Sequence, residues 1–128
     1  MMSPLVLVVD DDPDILDAIC DILESEGYRV SRARHGVEAL QRVESERPAI
    51  ILLDLMMPVM DGVTFAQHLH ERPQDRSIPI VVISAEGNPQ KAAAVGAQGY
   101  LAKPFDIDAL LAQVAGMTGQ EGATASPS

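Results

Sequence analysis

Ile50-Ile51-Leu52-Leu53-Asp54 is an unbroken apolar run closed by a carboxylate, and the rest of the chain repeats its pattern. A strand with water on one face alternates apolar and polar residues, whereas one covered on both faces reads as a continuous apolar run. Leu5 to Val9 and Ile78 to Ile83 are of the same kind, and Tyr100 to Ala102 is a shorter version. Tyr28 to Ala33 is weaker and alternates, as an edge strand does. Five strands are therefore expected.

Helical patterns separate them. Asp12 is a suitable N-cap with Pro13 at the first helical position, and Ile15, Ile19, Ile22 and Leu23 mark one face of a helix that stops at Gly27. Val37, Leu40 and Val43 predict a second helix, Val63 to Leu69 a third, and Ile107, Leu110, Leu111 and Val114 a last one capped by Asp106. Asn88 and Pro89 start a fourth helix that Gly96 stops after about two turns. Strands alternating with helices predict a doubly wound α/β fold, a parallel (βα)5 sheet in the flavodoxin-like order 2-1-3-4-5.

Each long apolar run ends in a polar residue: Val9 in Asp10 and Asp11, Leu53 in Asp54, Ile83 in Ser84, Ala102 in Lys103. In a parallel sheet these ends share one edge, with neighbouring strands ~4.8 Å apart. Crowded carboxylates repel unless cations neutralise them; Lys103 offers one and a metal another. Oxygen donors without His or Cys suit Mg²⁺. An aspartate nucleophile, a hydroxyl, an ammonium and Mg²⁺ are together the parts of a phosphoryl-transfer site.

Val8-Val9-Asp10-Asp11-Asp12, Leu53-Asp54-Leu55-Met56-Met57-Pro58 with Met60-Asp61-Gly62, Ile83-Ser84-Ala85 and Gly99-Tyr100-Leu101-Ala102-Lys103-Pro104-Phe105 stand in order between about Leu5 and Val114. With these motifs the chain resembles the receiver domains of two-component response regulators, single-domain chemotaxis-type receivers included. The resemblance implies a phosphoacceptor signalling domain rather than a turnover enzyme. Asp54 would accept a phosphoryl group from a histidine kinase or phosphotransfer protein and so switch the surface that meets a downstream protein. It makes Asp11 the direct Mg²⁺ ligand beside Asp54 and the backbone carbonyl of Met56, with Asp10 reaching the ion through water. Ser84 would bond the phosphoryl oxygen, Lys103 would pair with it, and Tyr100 would be a rotamer switch linked to Ser84. The Lys103–Pro104 bond is cis in that family. The stretch from Ser84 to Lys103 is roughly one helical turn shorter than the resemblance leads one to expect.

Plainer readings compete residue by residue. Asp12 is accounted for by capping alone. Taken singly, Ser84 is a loop hydroxyl, Lys103 a surface charge, and Tyr100 a half-buried strand aromatic with a wet hydroxyl. Cys20 reads as a small apolar filler, and His35, His68 and His70 as surface residues. A phosphohydrolase of the haloacid dehalogenase type would also use Asp10-Asp11-Asp12. It needs a further acidic pair after the lysine, which Pro104 and Phe105 replace, and leaves Asp54 to Pro58 without a role. A receiver-like module acting through protein contacts alone is the other alternative.

The 128 residues accommodate one domain, expected over 1–117, and the Gly, Ala, Ser, Thr and Pro of 118–128 predict a disordered tail. That tail is a natural terminus or the start of a linker. A net charge of −10 argues against a nucleic-acid surface. With one cysteine and no apolar run long enough to insert in a membrane, a soluble cytoplasmic protein is expected.

Overall fold

The computed structural model describes residues 4–54, 62–73, 77–84, 89–94, 96–103 and 105–118. Strands and helices alternate as β1 (Leu5–Val9), α1 (Pro13–Ser25), β2 (Arg29–Ala33), α2 (Gly36–Glu46), β3 (Ile50–Asp54), α3 (Gly62–His70), β4 (Ile80–Ser84), α4 (Pro89–Ala94), β5 (Gly99–Ala102) and α5 (Ile107–Thr118). The strands form one parallel sheet in the order β2-β1-β3-β4-β5, with Val9 opposite Leu53 and Asp54 opposite Ile83. No helix among the described residues is long and apolar enough to cross a membrane.

Both faces of the sheet are covered, which is why the central strands are apolar throughout. Leu7, Val9, Ile51, Leu53, Ile80 and Val82 face Ala39 and Val43 of α2, Phe65, Ala66 and Leu69 of α3, and Ala92 of α4. Successive strand residues point to opposite faces. Val6, Val8, Ile50, Leu52, Val81 and Ile83 accordingly meet Leu16, Ile19, Cys20 and Leu23 of α1 and Leu110 and Val114 of α5.

Helix ends follow local chemistry. Asp12 caps α1, its Oδ1 accepting the amides of Asp14 at 2.9 Å and Ile15 at 3.4 Å. The helix closes where the Leu23 carbonyl accepts the Tyr28 amide, a turn that needs the positive φ of Gly27. The six-residue α4 closes the same way, with Gly96 at positive φ and the Ala97 amide on the Ala92 carbonyl.

Several expectations need correction. The buried stripe of α1 runs through Leu16, Ile19, Cys20 and Leu23; Ile15 and Ile22 are only partly covered, because the sheet meets the helix one residue further round. Val37 and Ile107 stand exposed in the first turns of α2 and α5; the buried positions of α2 are Gly36, Ala39 and Val43, so the helix is turned with Val37 away from the sheet. β4 begins at Ile80, because Pro79 has no amide to pair. Of the histidines, only His68 is exposed, while His35 and His70 are partly buried. His35 caps α2 by accepting the Glu38 amide on Nδ1, and the His70 ring lies against Gly96. α5 extends through Thr118, whose hydroxyl donates to the Val114 carbonyl, one residue into the expected tail. Residues 119–128 lie outside the described residues, as do Asn88 and Pro104.

Cys20 is wholly buried, and burial, partly offset by Arg32, pushes its thiol from 9.0 up to about 11. The folded chain holds this proton more tightly than the unfolded one. Its stabilising contribution is therefore complete below pH 9 and lost as pH rises towards 11. Cys20→Val should remove that loss, seen as a flatter difference in urea midpoint across this window.

Candidate functional site

The site lies where four strands end on the same edge of the sheet. β1 and β3 lie side by side and the helices that follow them, α1 and α3, pack on opposite faces of the sheet, which makes the ends of these two strands the switch point of the fold. Asp10 follows β1 and is 2% exposed, Asp54 ends β3 at 5%, and Ser84 ends β4 at 2%. Buried polar residues at the mouth of an otherwise apolar sheet have a cost that only partners can offset.

Asp10 has its partners on three sides. Its amide donates to the Ala33 carbonyl at 3.1 Å, which ties the start of the loop to β2. Its Oδ1 accepts the Asp12 amide at 2.9 Å, and its Oδ2 accepts Lys103 Nζ at 3.1 Å. Lys103 Nζ also lies 3.6 Å from Asp54 Oδ2, so one ammonium spans both buried carboxylates. The Lys103 amide donates to the Ser84 carbonyl at 2.9 Å, extending the β4–β5 pairing and aiming the side chain back across the sheet edge. Burial pushes the lysine down, but Asp10 and Asp54 outweigh it and hold the ammonium above the usual lysine range.

Asp11 is exposed at the rim, yet it belongs to the same group: one carboxylate oxygen each from Asp10, Asp11 and Asp54 lie within 4.8 Å of one another. Three carboxylates against one lysine leave an excess of negative charge. All three donors are hard oxygens, the set that a divalent cation such as Mg²⁺ prefers. The donors present therefore fit a metal of that class.

The residues named from sequence thus converge at Asp10, Asp11, Asp54, Ser84 and Lys103. Met56 lies outside the described residues. Tyr100 sits on β5 opposite Val82, with its ring packed on the core face that carries α4. Its hydroxyl is enclosed and has no hydrogen-bond partner among the described residues, which corrects the expectation of a wet phenol. The Ala33 carbonyl escaped sequence reasoning because its role comes from the register of β2 on β1, which no side chain announces.

Comparison with known proteins agrees with this geometry. The family described as response regulator receiver domain matches residues 6–115. The chain is 42% identical to the transcriptional regulatory protein PrrA of Mycobacterium leprae, covering 98% of this chain and 54% of that protein. It is 38% identical to the transcriptional regulator RpaA of Synechocystis, covering 87% and 47%. The chain thus spans about half the length of the curated relatives it matches. Among solved structures, the chemotaxis response regulator CheY4 of Vibrio cholerae superposes with a TM-score of 0.83 at 35% identity, over 91% of this chain and 99% of that one. The receiver domain of the sensor histidine kinase PA1611 of Pseudomonas aeruginosa, solved with a magnesium ion coordinated in its active-site cleft, gives 0.85 at 30% identity, over 91% and 98%.

Removing the ammonium should leave two buried carboxylates facing each other. Lys103→Met is expected to lower stability by roughly 1–3 kcal/mol at pH 7. Added Mg²⁺ should recover part of the loss. Urea denaturation with and without the metal measures both effects.

Proposed function

The chain belongs to the response regulator receiver domains, phosphoacceptor signalling domains phosphorylated by histidine kinases, and we propose that Asp54 is its phosphoacceptor and Lys103, Ser84, Asp10 and Asp11 its supporting residues. The observation that carries this reading is the single ammonium of Lys103 within 3.1 Å of Asp10 and 3.6 Å of Asp54, with Asp11 beside them. The donor is a phosphohistidine of a kinase or phosphotransfer protein. A carboxylate oxygen of Asp54 forms the new bond to phosphorus while the donor's N–P bond breaks, and the electron pair leaves with the imidazole.

The residues divide the work by what already occupies them. Asp54, whose Oδ2 faces Lys103, is assigned the attack on phosphorus. Both oxygens of Asp10 hold protein hydrogens, which suits a role at one remove from the metal, through water. Asp11 is exposed and is assigned the direct bond to Mg²⁺, with Asp54 and the Met56 carbonyl as companions. Bound there, the ion would supply the positive charge that spreads the negative charge of the transferring group. Ser84 donates its hydroxyl to a phosphoryl oxygen and Lys103 pairs with another. Tyr100, on the adjoining strand, is the aromatic assigned to sense the change, in concert with Ser84.

Beyond its own phosphorylation and dephosphorylation we assign no turnover chemistry. The partners are a kinase or phosphotransfer protein and a downstream protein. With a charge of −10 this domain itself is not assigned a nucleic-acid surface. We place the exchange in the cytoplasm, in keeping with a single cysteine and no disulfide framework.

With acetyl phosphate and Mg²⁺, intact mass measurement should show one added phosphoryl group, lost in Asp54→Asn; unchanged labelling of that variant would identify another acceptor. In Mg²⁺ titrations, Asp11→Ala should weaken binding more than Asp10→Ala or Asp12→Ala. Equal losses would contradict the division between direct and water-mediated ligands.

A further inference from the structure

β5 is an outer strand of the sheet, so one side of its backbone has no neighbouring strand. Such edges are costly to leave open and are often covered. Here the cover comes from α5. Gln113 Nε2 lies 3.5 Å from the Tyr100 carbonyl, at the outer limit of a hydrogen bond. A Cβ added at Gly99 would lie 2.5 Å from Gln113 Oε1 and 3.2 Å from Val81 Cγ2. The carboxamide therefore lies across the backbone of Gly99, and a glycine there is what lets it do so.

The strand's two faces make this contact informative. Gly99 and Leu101 turn towards α5, whereas the Tyr100 ring turns to the opposite face, against the cluster that contains Ala92. Gln113 thus touches the backbone of the residue whose ring it never meets. On its far side, that ring keeps its hydroxyl enclosed without a partner among the described residues. An enclosed, unpaired hydroxyl is unfavourable, so the inward ring needs support from elsewhere. Beside Gln113 a groove of about 520 Å³, lined by Ala109, Ala112, Gly116 and Met117, gives the carboxamide room to swing away.

We infer that Gln113 is a positioning residue for Tyr100: its carboxamide, seated over Gly99, latches the free edge of β5 to α5 and keeps the tyrosine ring inward. This deepens the reading of Tyr100 as the responding aromatic. Release of the latch frees β5 and carries a change at Tyr100 to α5 through the backbone.

The chain has two tyrosines and no tryptophan, so in a Tyr28→Phe background the emission of Tyr100 can be read alone. Acrylamide quenching of that emission, without any phosphodonor, tests the latch independently of whether Asp54 accepts phosphate. Gln113→Leu removes the amide at similar volume and should shift the balance towards outward tyrosine by roughly fivefold, the scale of one lost hydrogen bond. Gly99→Ala displaces the amide from the other side and should give a similar shift. The double variant should show no further change, because both remove one contact. Tyrosine ring resonances followed by NMR in the chain that retains Tyr28 give the same comparison should Tyr28→Phe not fold. Quenching and resonances unchanged in either single variant, or effects that add in the double variant, would overturn the inference.

Discussion

Much of the molecule depends on the ammonium of Lys103 standing between the carboxylates of Asp10 and Asp54. Two acids buried side by side at the mouth of an apolar sheet are tolerable only when a cation shares them. That cation comes from the far end of the chain, so the first, third and fifth strands are joined at one point. The excess charge left by Asp11 makes the same point attractive to a divalent metal. Structural need and functional capacity thus arise from one imbalance.

Such an arrangement requires a rigid support, and the sheet supplies it by being covered on both faces. Alternate residues of β1, β3 and β4 enter two separate cores, one closed by α2, α3 and α4, the other by α1 and α5. Moving any central strand by one residue would exchange the two sets and expose the acids' backbone supports. The Asp10 amide on Ala33 and the Lys103 amide on Ser84 then pin the loops that leave the sheet.

The periphery is built differently. α4 is six residues long and adds only Ala92 to the described core, so it depends on packing more than on its own helical bonds. β5 has four residues and one free edge. The Tyr100 ring lies between these two slight elements, away from the heavily packed centre. Stiffness at the acids beside lighter construction around the tyrosine is what a domain needs if chemistry at one place is to alter shape at another.

The order of strands and helices was legible because apolar runs that end in Asp10, Asp54, Ser84 and Lys103 suit strands covered on both faces and little else, and because Asp12, Pro13 and Gly27 carry their helix-end chemistry locally. The convergence of the acids with Lys103 followed from parallel pairing. Rotation of each helix on the sheet did not follow. Leu16 rather than Ile15 enters the core, and Val37 and Ile107 face outward, since helical phase is chosen by the surface a helix meets and not by its own apolar count. Nor could sequence reveal bonds through backbone atoms: the Ala33 carbonyl under Asp10, and the Gln113 carboxamide over Gly99. Any residue carries a carbonyl or an amide, so sequence alone determined which side chains would gather at the sheet edge, while only tertiary structure decided what holds each in place.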